Sequence, residues 1–98
     1  MDFLLKFERS KLEEIKRILL ADDMVSRGSL IFKDSIGLGF KEDVYYCYIS
    51  ATEEICKKAK ELVGKITKFV EGKEKQEVIE KIKKEEETAA EGFGAIFG

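Results

Sequence analysis

At the start of the chain, residues 2–8 alternate between polar and apolar except at Leu4, with Phe3, Leu5 and Phe7 on one face, and this period of two predicts a β-strand. A helix over the same residues is the competing interpretation. The strand is favoured because Ser10 and Glu13 form a capping box, in which each side chain accepts a hydrogen bond from the other residue's backbone amide. Apolar residues at helical spacing follow, so we expect a helix from Ser10 to near Asp22.

Two further strands are predicted in the middle of the chain. Residues 30–32 begin the first, a bulge at residues 34–35 interrupts it, and residues 36–40 resume it. Residues 44–49 form the second, because they are rich in β-branched and aromatic side chains. The two glycines within residues 36–40 are expected in a hairpin and not in a phosphate-binding loop, since a strand rather than a helix follows them.

A second capping box, Ser50 with Glu53, opens a long amphipathic segment, which we expect to be helical from Ala51 to Glu71 and to stop at Gly72. Its apolar stripe is wider than a coiled-coil seam, so it could cover a sheet and still leave surface for a partner. A chain this small buries a modest share of its surface alone, which favours association. The predicted dimer or partner interface is Ile55, Ala59, Leu62, Val63, Ile66, Phe69 and Val70.

The order strand, helix, strand, strand, helix predicts an α+β fold, with a split β-α-β (ferredoxin-like) antiparallel sheet and a C-terminal helical extension. Residues 1–72 are the expected α+β domain, and residues 73–98 a short helix followed by a flexible Gly/Phe tail. Three alternatives remain open for the tail. It is disordered, it adds an edge strand to its own sheet, or it docks into a partner through Phe93, Ile96 and Phe97.

Composition excludes several classes of function. The 98 residues include 18 basic and 20 acidic side chains, and the net charge of -2 argues against a strongly basic nucleic-acid binder. Histidine is absent, and Cys47 and Cys56 do not form a C-x-x-C pair, so we expect no metal and no cofactor. The acidic runs at residues 53–54 and 85–87 are expected to be helix-dipole and solvated charges. No candidate catalytic residue is left, which predicts a protein that is not an enzyme.

No apolar run is long enough to span a membrane, and the charged start is unlike a signal peptide, so we expect a cytoplasmic protein with reduced thiols. The excess of Lys and Glu, with no Asn, is typical of proteins from hot environments. Two other functions stay open. Tyr45, Tyr46 and Tyr48 could form an aromatic platform for single-stranded RNA, although packing within the sheet explains them better. A metabolite-binding regulatory domain is the third hypothesis, by analogy of fold alone.

Ser26 and Arg27 before the second strand, and residues 44–52 before a long helix, resemble the small dimerisation subunit of the KEOPS complex. That complex modifies transfer RNA with threonylcarbamoyladenosine. The resemblance covers about residues 3–70, but residues 57–65 lack the Arg and the Asn-Ser that the family's helix typically carries. It implies a non-enzymatic subunit that pairs with itself or a related subunit, bridges catalytic subunits and helps to seat transfer RNA. The implied RNA or partner contacts are Arg27, Lys57, Lys58 and Lys65.

Overall fold

The computed structural model describes residues 1–87 with their side chains and the helical backbone as far as Phe97. Within this described part of the chain, four strands and three α-helices follow one another in the order β1 (Asp2–Phe7), α1 (Leu12–Ala21), β2 (Ser29–Asp34), β3 (Tyr45–Ser50), α2 (Glu53–Val63), β4 (Lys68–Phe69) and α3 (Gly72–Phe97). The strands form one antiparallel sheet in the order β2-β3-β1-β4. The predicted α+β, ferredoxin-like arrangement with a C-terminal helix is therefore confirmed, and so is the strand at the start of the chain.

Helices α1 and α2 cover one face of the sheet. Successive strand residues point to opposite faces, so every second residue of β1 and β3 reaches this layer. The buried side chains of this first core are Leu5, Phe7, Ile15, Leu19, Val25, Cys47, Ile49, Cys56, Ala59 and Val63.

Helix α3 covers the opposite face of the same sheet. Val78 and Ile82 are fully buried there, and Ile79 is nearly so. Burying an apolar side chain of this size contributes about 1.5–3 kcal/mol. Residues 73–87 are thus a second layer of the fold rather than an appendage to a domain that ends at residue 72. The buried side chains of this second core are Leu4, Leu38, Tyr46, Tyr48, Val70, Val78, Ile79 and Ile82.

Both predicted capping boxes are misplaced. A 3-10 turn over Arg9–Lys11 precedes α1, and Lys11 occupies the N-cap position of α1 without a side-chain hydrogen bond to the helix. Thr52, not Ser50, caps α2, because its hydroxyl accepts a hydrogen bond from the Ile55 amide at 3.3 Å. The predicted N-cap Ser10 therefore lies one residue before the observed N-cap of α1, and Ser50 lies two residues before that of α2.

The predicted helix from Ala51 to Glu71 is too long, since α2 ends at Val63. The chain turns at Gly64, where an added Cβ would lie 2.5 Å from the Lys60 carbonyl oxygen, so the turn requires glycine. The Val63 carbonyl oxygen at the end of α2 then accepts two hydrogen bonds, from the Ile66 amide at 3.1 Å and from the Thr67 hydroxyl at 2.8 Å. This turn directs the chain into β4, which pairs with β1 and supplies the last strand of the fold.

The second half of the predicted middle strand is also wrong. Residues 35–39 form a turn, and β2 runs without a bulge to Asp34. The Asp34 carboxylate accepts a hydrogen bond from the Ile36 amide at 3.0 Å, which closes the turn locally. Gly39 has a φ of 95°, a value that favours glycine. The turn returns Leu38 to the second core.

Candidate interaction surfaces

The apolar stripe predicted as a partner interface packs largely inside the molecule. Ala59 and Val63 are buried on α2, and Val70 is buried in the second core beneath α3. The half-buried Leu62, Ile66 and Phe69 pack against the first core, and the half-buried Ile55 lies beside Gly28. The expectation that α2 leaves a wide free apolar face is therefore wrong, because its own sheet occupies that face. Ile66, Phe69 and Val70 also lie outside α2, since the helix ends before them.

The basic residues implied by the resemblance are spread over the molecule. Arg27 ends the short 3-10 turn before β2 and is exposed. Lys57 lies on α2, where it pairs with Glu53 at 3.5 Å, and Lys58 is its half-buried neighbour. Lys65 is exposed in the turn beyond the far end of α2. The predicted docking tail of Phe93, Ile96 and Phe97 lies outside the described side chains.

The tyrosines of β3 do not form an open platform. Tyr46 and Tyr48 are 3% and 5% exposed beneath α3, and the Tyr48 hydroxyl donates to the Asp2 carboxylate at 3.0 Å. Tyr45 points to the other face, with the Arg9 guanidinium 5.1 Å from its ring centre. A base can stack only on an accessible ring face, so this arrangement speaks against the tyrosine strand as an RNA-binding surface.

Cys47 on β3 and Cys56 on α2 are both buried and free. Burial raises the pKa of the Cys47 thiol to about 12 and also raises the pKa of Cys56. Both thiols are therefore protonated and packed as small apolar side chains at neutral pH.

The acidic runs serve as ion-pair partners. Glu85 and Glu86 of α3 bind the Lys33 ammonium at 3.1 and 2.9 Å, and Glu53 pairs with Lys57. Within residues 1–87, no group of three Asp, Glu, Cys or His side chains is placed to hold a metal ion. None of the helices, as far as the structure describes them, is both long and apolar enough to cross a membrane.

The edge of the sheet at β2 leaves one side of a strand without a neighbouring strand. β2 is the terminal strand on its side and pairs with β3 on the other. Ser35, the next residue, donates its amide to the Val44 carbonyl oxygen at 3.0 Å, so its backbone groups point toward β3. Because these groups alternate in direction along an antiparallel strand, those of Leu30, Phe32 and Asp34 point away from β3.

Apolar side chains surround this open edge, which we call the β2 edge and define by Leu30, Ile31 and Phe32. All three side chains are half-buried. The Lys16 ammonium of α1 lies 5.5 Å from the centre of the Phe32 ring, so α1 runs beside the β2 edge. Leu20 follows Lys16 by one helical turn on the same side of α1 and is 55% exposed.

The apolar pattern predicts a strand over the same three residues but does not identify this strand as an edge of the sheet. The available signal was a run of three large apolar residues with no Pro or charge among them. Protein-family models, curated proteins and solved structures were compared with this chain, and none of them matches it.

Proposed function

We propose that this chain is a non-enzymatic association module that forms a homodimer by pairing the β2 edges of two copies. The observation that carries the proposal is the open row of backbone groups at Leu30 and Phe32, bordered by the exposed Leu20. β2 has no Pro and no bulge, and an edge strand with an apolar run such as Leu30–Phe32 is a template for pairing with another strand. Pairing with a second β2 edge would satisfy these backbone groups and cover the apolar side chains beside them.

One register makes the two edges complementary. A two-fold axis perpendicular to the sheet pairs the strands antiparallel, and side chains directly opposite each other must then lie on the same face. With the axis at Ile31, Leu30 of each copy lies opposite Phe32 of the other, and both residues present outward backbone groups that can exchange hydrogen bonds. With the axis at Phe32, Leu30 would instead face Asp34, a carboxylate that Arg9 already binds at 2.8 Å. The register centred on Ile31 is therefore preferred.

The other edge of the sheet explains why the assembly should close at two copies. β4 contains two paired residues, Lys68 and Phe69, so it offers little backbone for a neighbouring β2 edge. Pairing of like edges uses the same surface on both copies and leaves no second β2 edge free, which gives a closed dimer rather than a filament.

The resemblance to the KEOPS dimerisation subunit supports the proposal that such a dimer works within a larger complex. In that setting the two copies would bridge larger subunits of a transfer-RNA-modifying assembly in the cytoplasm. Recovery of the tagged chain with transfer-RNA-modifying proteins from its own source would support this setting, whereas recovery of the dimer alone would count against it.

Sedimentation of the full chain over a micromolar concentration series tests the homodimer. Leu30→Pro removes an outward amide but no bond to β3, so the fold should persist. The substitution affects both copies, and at about 1 kcal/mol for each lost hydrogen bond the dissociation constant should rise about 30-fold. Leu20→Lys should weaken the dimer as well, because it adds a cation opposite Lys16 of the second copy.

Gln76→Lys is the matched control, because it adds the same charge on the exposed side of α3 near the β4 side of the sheet. It should leave the dimer unchanged. Circular dichroism of each variant separates dissociation from unfolding. A wild-type chain that stays monomeric over the whole series would overturn the proposal, and so would a folded Leu30→Pro variant with unchanged self-association.

A further inference from the structure

A row of lysines crosses the α3-facing side of the sheet. Lys6 on β1 lies directly opposite Lys68 on β4, and opposite Tyr46 on β3 on its other side. Lys33 on β2 completes the row, because it also lies opposite Tyr46. Residues directly opposite on neighbouring strands have Cβ atoms about 5 Å apart, and like charges in such positions destabilise a sheet.

The charges of this row are compensated unequally. Glu85 and Glu86 of α3 bind Lys33. Lys6, whose side chain is 19% exposed, is held between Glu42 and Glu74, and its hydrogen bond to Glu42 raises its pKa and keeps it charged. Lys68 is exposed, and in the part of the chain with described side chains it has no carboxylate partner. A cation is thus left without a counter-charge directly beside another cation.

Lys68 opens onto a groove of about 500 Å³ between the end of β1, the 3-10 turn before α1 and the segment of residues 65–68. Four lysines and two glutamates line this groove, an excess of positive charge in a chain whose net charge is -2. Lys65 is exposed at the rim and, like Lys68, lacks an ion pair within residues 1–87. The ion pair of Lys11 with Glu14 is long, at 3.9 Å, and exposed. The lysines of this lysine groove are Lys6, Lys11, Lys65 and Lys68.

We infer that the lysine groove binds the phosphate groups of an anionic ligand. A phosphate placed between Lys65 and Lys68 would supply the negative charge that these two exposed lysines lack. Local rules broken at a cost in stability are expected at functional sites, and two lysines opposite each other break such a rule. The groove contains no arginine, so it offers point charges to phosphate oxygens rather than a rigid two-pronged contact. This chemistry suits a phosphorylated small molecule or a nucleic-acid backbone.

Titration of the full chain with sodium tripolyphosphate, and separately with a single-stranded RNA oligonucleotide, tests the inference. The double substitution Lys65→Gln and Lys68→Gln should weaken binding by about tenfold or more. The matched control, Lys81→Gln with Lys83→Gln, removes the same charge from exposed positions of α3 outside the groove and should leave binding nearly unchanged. A small phosphorylated ligand is indicated if tripolyphosphate alone binds. A nucleic-acid backbone is indicated if the RNA binds with a steep dependence on salt.

Equal losses from the two pairs of substitutions would overturn the inference, since binding would then follow net charge alone. Absence of binding to both probes would overturn it as well. The free energy of unfolding without ligand shows whether a variant has lost binding because it misfolds. Lys68→Gln should leave this free energy unchanged or raise it, because the substitution relieves repulsion with Lys6. Loss of stability in that variant would contradict the assignment of Lys68 as an uncompensated charge.

Discussion

Ile82→Ala should show whether α3 is part of the cooperative fold. Ile82 is fully buried between α3 and the sheet, and its truncation leaves a cavity in the second core. Substitutions of this kind cost 2–5 kcal/mol, so we expect the free energy of unfolding to fall by about 3 kcal/mol. A chain of this size has a total of about 5–15 kcal/mol, so the loss should be a large fraction of its stability.

Urea unfolding, followed by far-ultraviolet circular dichroism and by tyrosine fluorescence, measures this loss. The two signals should change together, because Tyr46 and Tyr48 lie beneath α3 and report on its docking. Ile15→Ala, which truncates a fully buried residue of the first core, should cost a similar amount. Glu80→Ala, on the exposed side of α3, should change stability by less than about 0.5 kcal/mol. A loss below about 1 kcal/mol for Ile82→Ala, beside a full loss for Ile15→Ala, would refute a docked α3.

Three further measurements probe buried side chains. Tyr48→Phe should lower stability by about 1 kcal/mol, since it removes the hydrogen bond to Asp2, and unchanged urea unfolding would contradict that bond. Burial raises the pKa of Cys47 from 9.0 to about 12, so the folded protein keeps this thiol protonated. The resulting contribution to stability is fully present below pH 9 and is lost as the pH rises toward 12. Between pH 9 and pH 12, the free energy of unfolding should therefore fall faster for the wild type than for Cys47→Ala, by about 1.4 kcal/mol for each pH unit. Equal slopes for the two proteins would contradict the burial of the thiol. A thiol reagent should reach Cys47 and Cys56 only after unfolding.

The topology could be predicted from local patterns because the patterns that determine it are strong. The alternation from Phe3 to Phe7 and the aromatic run of β3 both formed strands, and two amphipathic segments formed α1 and α2. The continuous apolar run in β3 also has a structural reason, since both faces of that strand are buried.

The length of α2 was overestimated because a single seven-residue spacing of apolar residues continues past the end of the helix into a different core. Cys56, Val63 and Val70 recur every seven residues, and this spacing predicts one helical face. In the structure Cys56 and Val63 belong to the first core, whereas Val70 follows β4 and belongs to the second. The turn at Gly64 separates them, and a glycine within a helical pattern is a weak signal of a helix end.

Neither the β2 edge nor the lysine groove could be identified from the sequence. An edge is defined by strand order, and the order β2-β3-β1-β4 follows from how the helices cross the sheet. Lys6 and Lys68 are far apart in the chain and become neighbours through the register of β1 with β4. The weak apolar stripe of residues 78–82 likewise gave no sign that a whole second core depended on it.

The position of α3 after the strands that it covers has a consequence for biosynthesis. The strands that carry Leu4, Tyr46 and Tyr48 are made before the helix that shields them. At about 5–20 residues per second, the 26 residues of α3 take on the order of 1–5 s to be translated. For that interval the nascent protein presents a bare aromatic and aliphatic surface to the ribosome's surroundings. Rapid docking of α3, or a chaperone that shelters the surface until then, would determine how much of the newly made protein escapes aggregation.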